Sequence, residues 1–491
     1  MNLLADAALF ATTALLLAST LWRLRRPVDA ALLLPIAWLA LIPIQVAVFG
    51  SLRGYAGAAR NNLYFSIAIG NLMFLGLQWF LGSSYFQRLS DGVRARLSPP
   101  DQSRPQAAWD RLAAYWWYGL AIVAVGLAVL HLSLMPRVPL FELLTGDSDY
   151  FQISIDRENA AKLLAVPTIV KYFFTWDSSI LLPILFVGAI LYRWRWRAVF
   201  IGAFGLMYVT APLDKFPSLI FVFSAFVALA IRDRKRAFSK VLIVGFIVSL
   251  VPAYLITESM QISVAVHHAV GAPLAKSSAP PPATNAPPSG EQPISSIAGV
   301  KLPGPVANLL DLTVRRIGSG PADVTYQWFR FFPAVHPYLK GTGWEPWRVL
   351  SSSYQSPANM VGLWAYYGHT GYVLTSLSAY SGFLADGWAE FGYLGVLIAC
   401  LWLFVFAVVI ELMRTFSDKR FCLACYVPCL LMLAAVTPIS GIMAMTFSLG
   451  LSLAPVICVA YLLSGRFALP AVATVRHAPA RKPALDETIG G

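Results

Sequence analysis

A helix crosses a bilayer with about 20 largely apolar residues, and this chain alternates runs of that kind with short basic connections. The runs fall near residues 4–22, 30–50, 63–82, 113–134, 178–192, 198–213, 216–231, 240–257, 388–412, 421–437 and 442–463. They predict an all-α polytopic membrane protein with about 11 transmembrane helices. The stretch 198–231 is one apolar run broken by Pro212, Asp214, Lys215 and Pro217. It is expected to form two short helices joined at the membrane surface. A single kinked helix would hold Asp214 and Lys215 near the middle of the bilayer, where charge is costly.

Two long polar segments interrupt the pattern. The expected organisation is helices 1–4 in residues 1–134, a first long loop at 135–177 and helices 5–8 in 178–257. A large loop at 258–387, helices 9–11 in 388–463 and a tail at 464–491 complete it. Residues 272–293 are rich in Pro, Ala and Ser, including Pro280-Pro281-Pro282, the composition of a flexible segment. Val306, Leu309, Leu310, Leu312, Val314 and Ile317 are spaced as on a short amphipathic helix that ends in Arg315-Arg316. Tyr326 to Phe332 is too aromatic for a free loop and is expected at the membrane interface, where such rings settle.

Basic residues orient the runs. With Arg23, Arg25 and Arg26 placed inside, every second connection agrees: Arg88 to Arg111, Arg193 to Arg197, Arg232 to Lys240, Arg414 to Arg420, and the tail. Most of the 37 basic residues then lie inside, although the outside loops are longer. The N-terminus and both long loops are thus expected outside, and the C-terminus in the cytoplasm. The net charge of +13 follows from this topology. Nucleic-acid binding would want a soluble basic domain, and none is present.

Composition agrees, with 58% hydrophobic and 12% charged residues and a mean hydropathy of +0.65. The first run carries Asp6 and no basic residue before it, unlike a cleaved signal peptide. Cys400, Cys422, Cys425, Cys429 and Cys458 fall in the runs or at their inner ends, so no disulfide framework is expected in the outer loops. Cys422, Cys425 and Cys429 share a helix face and read as helix packing, with no companion cluster for a metal. No phosphate-binding lysine loop or dinucleotide fingerprint occurs. No cofactor or metal is called for.

The outer segments carry the candidate chemistry. Arg157, Lys215, Arg315, Arg316, Arg330 and Arg348 would all face outward. Guanidinium groups grip phosphates bidentately, which suits a lipid diphosphate, whereas the plainer role is snorkelling at headgroups. Candidate acids and bases are His369, His336, Asp386, Glu390, Asp177 and Glu142. His369 sits in the polar aromatic stretch Tyr366-Tyr367-Gly368-His369-Thr370-Gly371. Asp147-Ser148-Asp149 has the DxD spacing of some metal-dependent glycosyltransferases but reads more simply as a turn. His267-His268, beside the Pro-rich segment, reads as solvated.

The stretch Gly382-Phe383-Leu384-Ala385-Asp386-Gly387-Trp388-Ala389-Glu390-Phe391-Gly392-Tyr393-Leu394-Gly395 resembles one in the bacterial O-antigen and oligosaccharide repeat-unit polymerases, the Wzy type. There an acidic, aromatic end of the large periplasmic loop runs through Phe-Gly-x-x-Gly into the next span. The Leu213-Asp214-Lys215-Phe216 break resembles the charged hairpin of the same family. The paired arginine and glycine spacing of some members is absent around Arg157, Arg315, Arg316 and Arg330. Gly392 and Gly395 also have a plainer role, close helix packing.

The resemblance implies a bacterial inner-membrane glycosyltransferase acting on undecaprenyl-diphosphate-linked oligosaccharides at the periplasmic face. Arg157, Lys215, Arg315 and Arg316 would contact the diphosphate, and Trp344, Tyr366 and Tyr367 the sugars. His369 would serve as acid or base, with Asp386 and Glu390 as alternatives. Basic groups would stabilise the departing diphosphate, and membrane confinement would orient two lipid-anchored reactants. Implied partners are the lipid bilayer and the chain-length regulator and flippase of such a pathway. Two other readings stay open. One is an O-antigen ligase or lipid-sugar-dependent glycosyltransferase. The other is a transporter or flippase, against which Gln45, Asn71 and Gln78 form too thin a polar path.

Overall fold

The computed structural model describes residues 2–24, 29–50, 54–97, 106–145, 156, 160, 166–213, 215–233, 320–344, 354, 356–366, 379–441 and 443–468. These residues form helices and short connections, with no strand among them. The first half contains α1 (Asn2–Arg23), α2 (Ala30–Leu41), α3 (Pro43–Phe49), α4 (Gly57–Leu81), α5 (Ser84–Leu97), α6 (Gln106–Leu134) and α7 (Pro139–Thr145). After it come α8 (Thr168–Trp176), a π-helical turn π1 (Asp177–Leu181), α9 (Leu182–Leu191), α10 (Arg195–Thr210) and α11 (Lys215–Asp233). The remainder comprises α12 (Gly320–Phe331), α13 (Pro357–Tyr366), α14 (Phe383–Phe391), α15 (Tyr393–Arg414), α16 (Arg420–Val436), π2 (Ala444–Ser448) and α17 (Leu453–Ala468).

Six helices among the described residues are long and apolar enough to cross a membrane: Leu3–Arg23, Ala30–Val48, Gly57–Leu81, Gln106–Leu134, Thr168–Leu191 and Tyr393–Arg414. Pro217–Ile231, Arg420–Val436 and Leu453–Phe467 are shorter apolar helices. The described residues are therefore helical throughout their regular structure and of membrane-protein character. The expected span at 240–257, the Pro-rich segment, the helix around Val306–Ile317, the DxD triplet, His267-His268 and the tail beyond 468 lie outside the described residues.

Helix boundaries depart from the apolar runs where turn geometry intervenes. The 198–231 run does form two helices, separated at Leu213, which adopts φ +55°. The run at 178–192 belongs to a helix that begins ten residues earlier, at Thr168, because α8 passes through π1 into α9 without a break. The run at 388–412 is divided instead. Gly392 takes φ +60°, a left-handed conformation that glycine adopts without strain, so α14 ends there and α15 starts at Tyr393.

Contacts gather the basic connections at one end of the bundle. Arg94 pairs with Asp418 at 3.3 Å, and Arg414 pairs with Glu411. Arg466 donates to the Arg96 carbonyl at 2.8 Å, and Lys419 lies over Trp109 at 4.8 Å. The opposite end joins α12 to the start of α4: Tyr55 stacks on Tyr326 at 4.0 Å and donates to Asp323 at 2.6 Å. Between the ends, polar side chains tie helices together. Asn71 accepts the Trp38 indole N–H at 2.8 Å and donates to Thr12 and Thr13, while Gln78 donates to Thr20 and the Ala31 carbonyl. Such bonds hold apolar helices together where no hydrophobic force separates lipid from protein. The five cysteines are reduced and buried, and the Cys429 thiol donates weakly to the Leu451 carbonyl.

The aromatic segment 326–332 corrects an expectation. Its rings are not on the surface: Trp328, Phe329, Phe331 and Phe332 are buried within the protein. Phe329 stacks on Trp388 at 4.7 Å, and Trp328 donates to the Ala379 carbonyl at 2.8 Å. Rings that can satisfy their N–H groups inside gain more by burial than by lying at the surface.

Candidate functional site

The short helix α14 organises the site. Gly382 precedes it in an extended conformation, and every side chain from Phe383 to Glu390 is buried. Burial on all sides requires close approach of neighbouring backbone. Gly387 meets Gly395 of α15 so tightly that a Cβ on either residue would collide with the other's carbonyl. The turn at Gly392 and this glycine contact fold α14 back against the start of α15. On its other sides Phe383 packs on Trp38 at 5.2 Å, and Trp388 donates to the Phe332 carbonyl at 2.9 Å.

A turn spanning Leu339 to Trp344 closes the end of α14. The Leu339 and Lys340 amides donate to the carbonyls of Ala389 and Glu390 at 3.0 and 2.9 Å, capping a helix end that would otherwise be unsatisfied. Lys340 and Gly341 carry φ of 54° and 94°, which aims the next amide inward. The Gly341 N–H donates to Glu390 Oε2 at 2.7 Å. Glu390 Oε1 lies against Gly343, where a Cβ would displace it.

Electrostatics follow from this enclosure. Glu390 has no solvent exposure. Burial pushes its carboxyl up to about 7, opposed by the Gly341 and Gly343 amides, which favour the charged form. Asp386, one helical turn earlier, is also buried, and its carboxylate lies against Gly441. Residues four apart share a helix face, so α14 offers two carboxyl groups on one side. Trp344 packs on Phe391 at 5.6 Å, and its indole N–H is buried without a hydrogen-bond partner among the described residues. Arg330 bonds Gln327 at 3.2 Å and lies over Trp364 at 5.4 Å. His336 Nδ1 donates to the Pro337 carbonyl at 2.7 Å and the ring stacks on Phe331, so it serves the turn rather than the carboxyl pair.

Of the predicted residues, Asp386, Glu390 and Trp344 come together here. Arg157, Arg315, Arg316, His369 and Tyr367 lie outside the described residues. Lys215 opens α11 and Tyr366 closes α13, and their side chains are outside the described set. Asp177 is elsewhere, inside π1, and Glu142 is on α7. The sequence reading missed the glycine cradle of Glu390. Its signal was present in Gly341-Thr342-Gly343, a glycine pair beside the aromatic Trp344.

Chemically, the site can exchange a proton near neutrality at Glu390 and offer an indole donor close by. Among the described residues there is no group of three or more His, Cys, Asp or Glu placed to hold a metal ion. No protein-family profile matches the sequence, and no curated protein or solved structure is similar to it.

Proposed function

We propose that the protein is a polymerase of lipid-diphosphate-linked oligosaccharide repeat units, with Glu390 as its general base. The observation that carries this reading is the Glu390 carboxyl: fully buried, fixed by the Gly341 amide and held at about 7. A base works best when its pKa lies near the operating pH. In this reading Glu390 takes the proton from the acceptor sugar hydroxyl as that oxygen attacks the anomeric carbon. Asp386 supports the positive charge that develops on the sugar ring. Trp344 offers its ring and its free indole N–H to the sugar. Arg157, Lys215, Arg315 and Arg316 stabilise the leaving undecaprenyl diphosphate.

The reading places α14 at the periplasmic face of a bacterial inner membrane, in an 11-span topology with the basic end of the bundle in the cytoplasm. Substrate reaches Glu390 only when the 340–344 turn lifts from α14, since that turn covers the carboxyl. The products are O-antigen or another surface polysaccharide, and a flippase supplies the substrate.

The Gly341 bond also fits a plainer role, in which Glu390 only staples the turn. Glu390→Gln separates the two, because glutamine still accepts from Gly341 but cannot take a proton. Purified protein in vesicles is given an undecaprenyl-diphosphate-linked repeat unit, and products are resolved by size. Wild type is expected to build a ladder of multiples. The variant, folded by size exclusion, is expected to lose about 100- to 10,000-fold in rate. A full ladder from Glu390→Gln overturns the assignment of the base. Single transfers by wild type, without a ladder, point to a ligase.

A further inference from the structure

A second carboxyl, far from α14 in the chain, has no role in the proposed transfer. Asp177 opens π1, at the junction of α8 and α9. It sits nine residues inside the helix Thr168–Leu191, about 13 Å from that helix's start. Its exposure is zero, and neither carboxyl oxygen has a hydrogen-bond partner among the described residues. Helices α6, α8, α9, α10, α11, α16 and α17 all pack on π1. An ionised carboxylate in such a place costs several kcal/mol unless a partner compensates it. A carboxyl carrying a proton costs less.

The neighbours supply a route for that proton. Tyr208 belongs to α10, one of the helices packed on π1. The Tyr208 hydroxyl is 2.8 Å from His131 Nδ1. His131 belongs to the last turn of α6, stacks on Phe174 at 4.5 Å and also bonds the backbone of Ala160. The chain of groups therefore runs from the interior of the bundle to the end of α6. Mid-helix π turns are frequent at functional sites. A second one, π2, is tied to the first: Trp176 donates to the Phe447 carbonyl and packs on Gly450. On π2 the Ser448 hydroxyl is also buried without a partner among the described residues.

Several other ionisable groups on the packed helices are engaged elsewhere or lie on other helix faces. Cys422 bonds Cys458, Cys429 donates to Leu451, and Tyr461 donates to the Trp109 carbonyl. Lys171 and Tyr172 precede Asp177 by six and five residues, on other faces of the helix. The side chains of Lys215, Arg232 and Asp233, at the ends of α11, lie outside the described set.

We propose that Asp177, Tyr208 and His131 form a proton-binding relay inside the helix bundle, independent of the Glu390 site. Asp177 stores a proton. On transfer, its O–H bond breaks and the proton passes, through one water or a rotation of the carboxyl, to the Tyr208 oxygen. The phenolic proton moves to His131 Nδ1. The products are a carboxylate, a neutral phenol and an imidazolium, so charge and protons balance without an oxidant or reductant.

Infrared spectra of the full-length protein in lipid nanodiscs at neutral pH test this. The expected result is a carboxylic-acid C=O band in wild type that Asp177→Asn removes and Asp177→Glu shifts. After an alkaline jump, loss of that band is expected to slow about 100-fold in Tyr208→Phe. A difference spectrum showing only carboxylate bands overturns the proposal. So does equal decay in wild type and Tyr208→Phe. Sodium chloride that raises the melting point of wild type but not of Asp177→Asn, where choline chloride does not, makes the site a cation site and also overturns it.

Discussion

Glu390 on α14 and Asp177 on π1 are both carboxyl groups with no solvent exposure, but the protein treats them differently. Glu390 receives the Gly341 amide and sits where a turn folds over a helix end. Asp177 receives no hydrogen bond from the described residues and sits inside a helix long enough to cross a membrane. Backbone amides partly repay the lost hydration of Glu390, leaving it near 7. No hydrogen bond from the described residues repays that of Asp177. Burial alone therefore does not define a site. What matters is which donors the local backbone aims at the buried group.

The sharpest way to break this contrast is to open the packing that buries Glu390. Gly395→Val drives a side chain into the Gly387 carbonyl, and α14 cannot stay folded back on α15. The folded protein is expected to be lost from detergent extracts, as judged by size exclusion, whereas Gly76→Ala, at a glycine with open space around it, leaves the yield unchanged.

A smaller effect concerns pH. The Glu390 carboxyl ionises near 7 in the folded chain and near 4.5 ordinarily. Between those values the folded state holds a proton that the unfolded chain has released. Its contribution to stability is fully present below about pH 4.5 and is lost as pH rises to about 7, at most about 3 kcal/mol in all. Melting temperatures of wild type and Glu390→Gln are expected to diverge across that window, with the slope flattened in the variant. Parallel curves would show that the enclosure leaves the carboxyl at its ordinary value.

Trp388→Phe keeps the ring against Phe329 but removes the donor to the Phe332 carbonyl. An orphaned buried acceptor costs about 1–3 kcal/mol, so a lower melting temperature is expected. The smallest change is expected from Asp177→Asn. Neither carboxyl oxygen has a bond to lose among the described residues, so the melting temperature at neutral pH should not fall. A marked fall would mean that Asp177 has a partner that stabilises the fold.

Legibility differed between these regions for physical reasons. The acidic, aromatic stretch around α14 drew attention through its resemblance to the loop end of the repeat-unit polymerases. The cradle of Glu390 was harder to read, because Gly341 lies 49 residues away and acts through its backbone. A backbone amide leaves little trace in sequence. Asp177 was visible as an acid, but its place was not. It marked the edge of a polar loop until α8 proved continuous with α9 through a π turn, an element no hydropathy pattern encodes.

The sequence by itself determined the class of the molecule, the two-helix break at Leu213, and the ends where basic residues collect. Each depends on transfer of local groups between water and an apolar medium, and that cost is additive along a chain. The tertiary structure decided which carboxyls are enclosed and which amides reach them, and it sent the 326–332 rings into the core. Those outcomes depend on contacts between distant segments, where a glycine at 387 and another at 395 set the distance between two helices. Local hydropathy carries no information about such meetings.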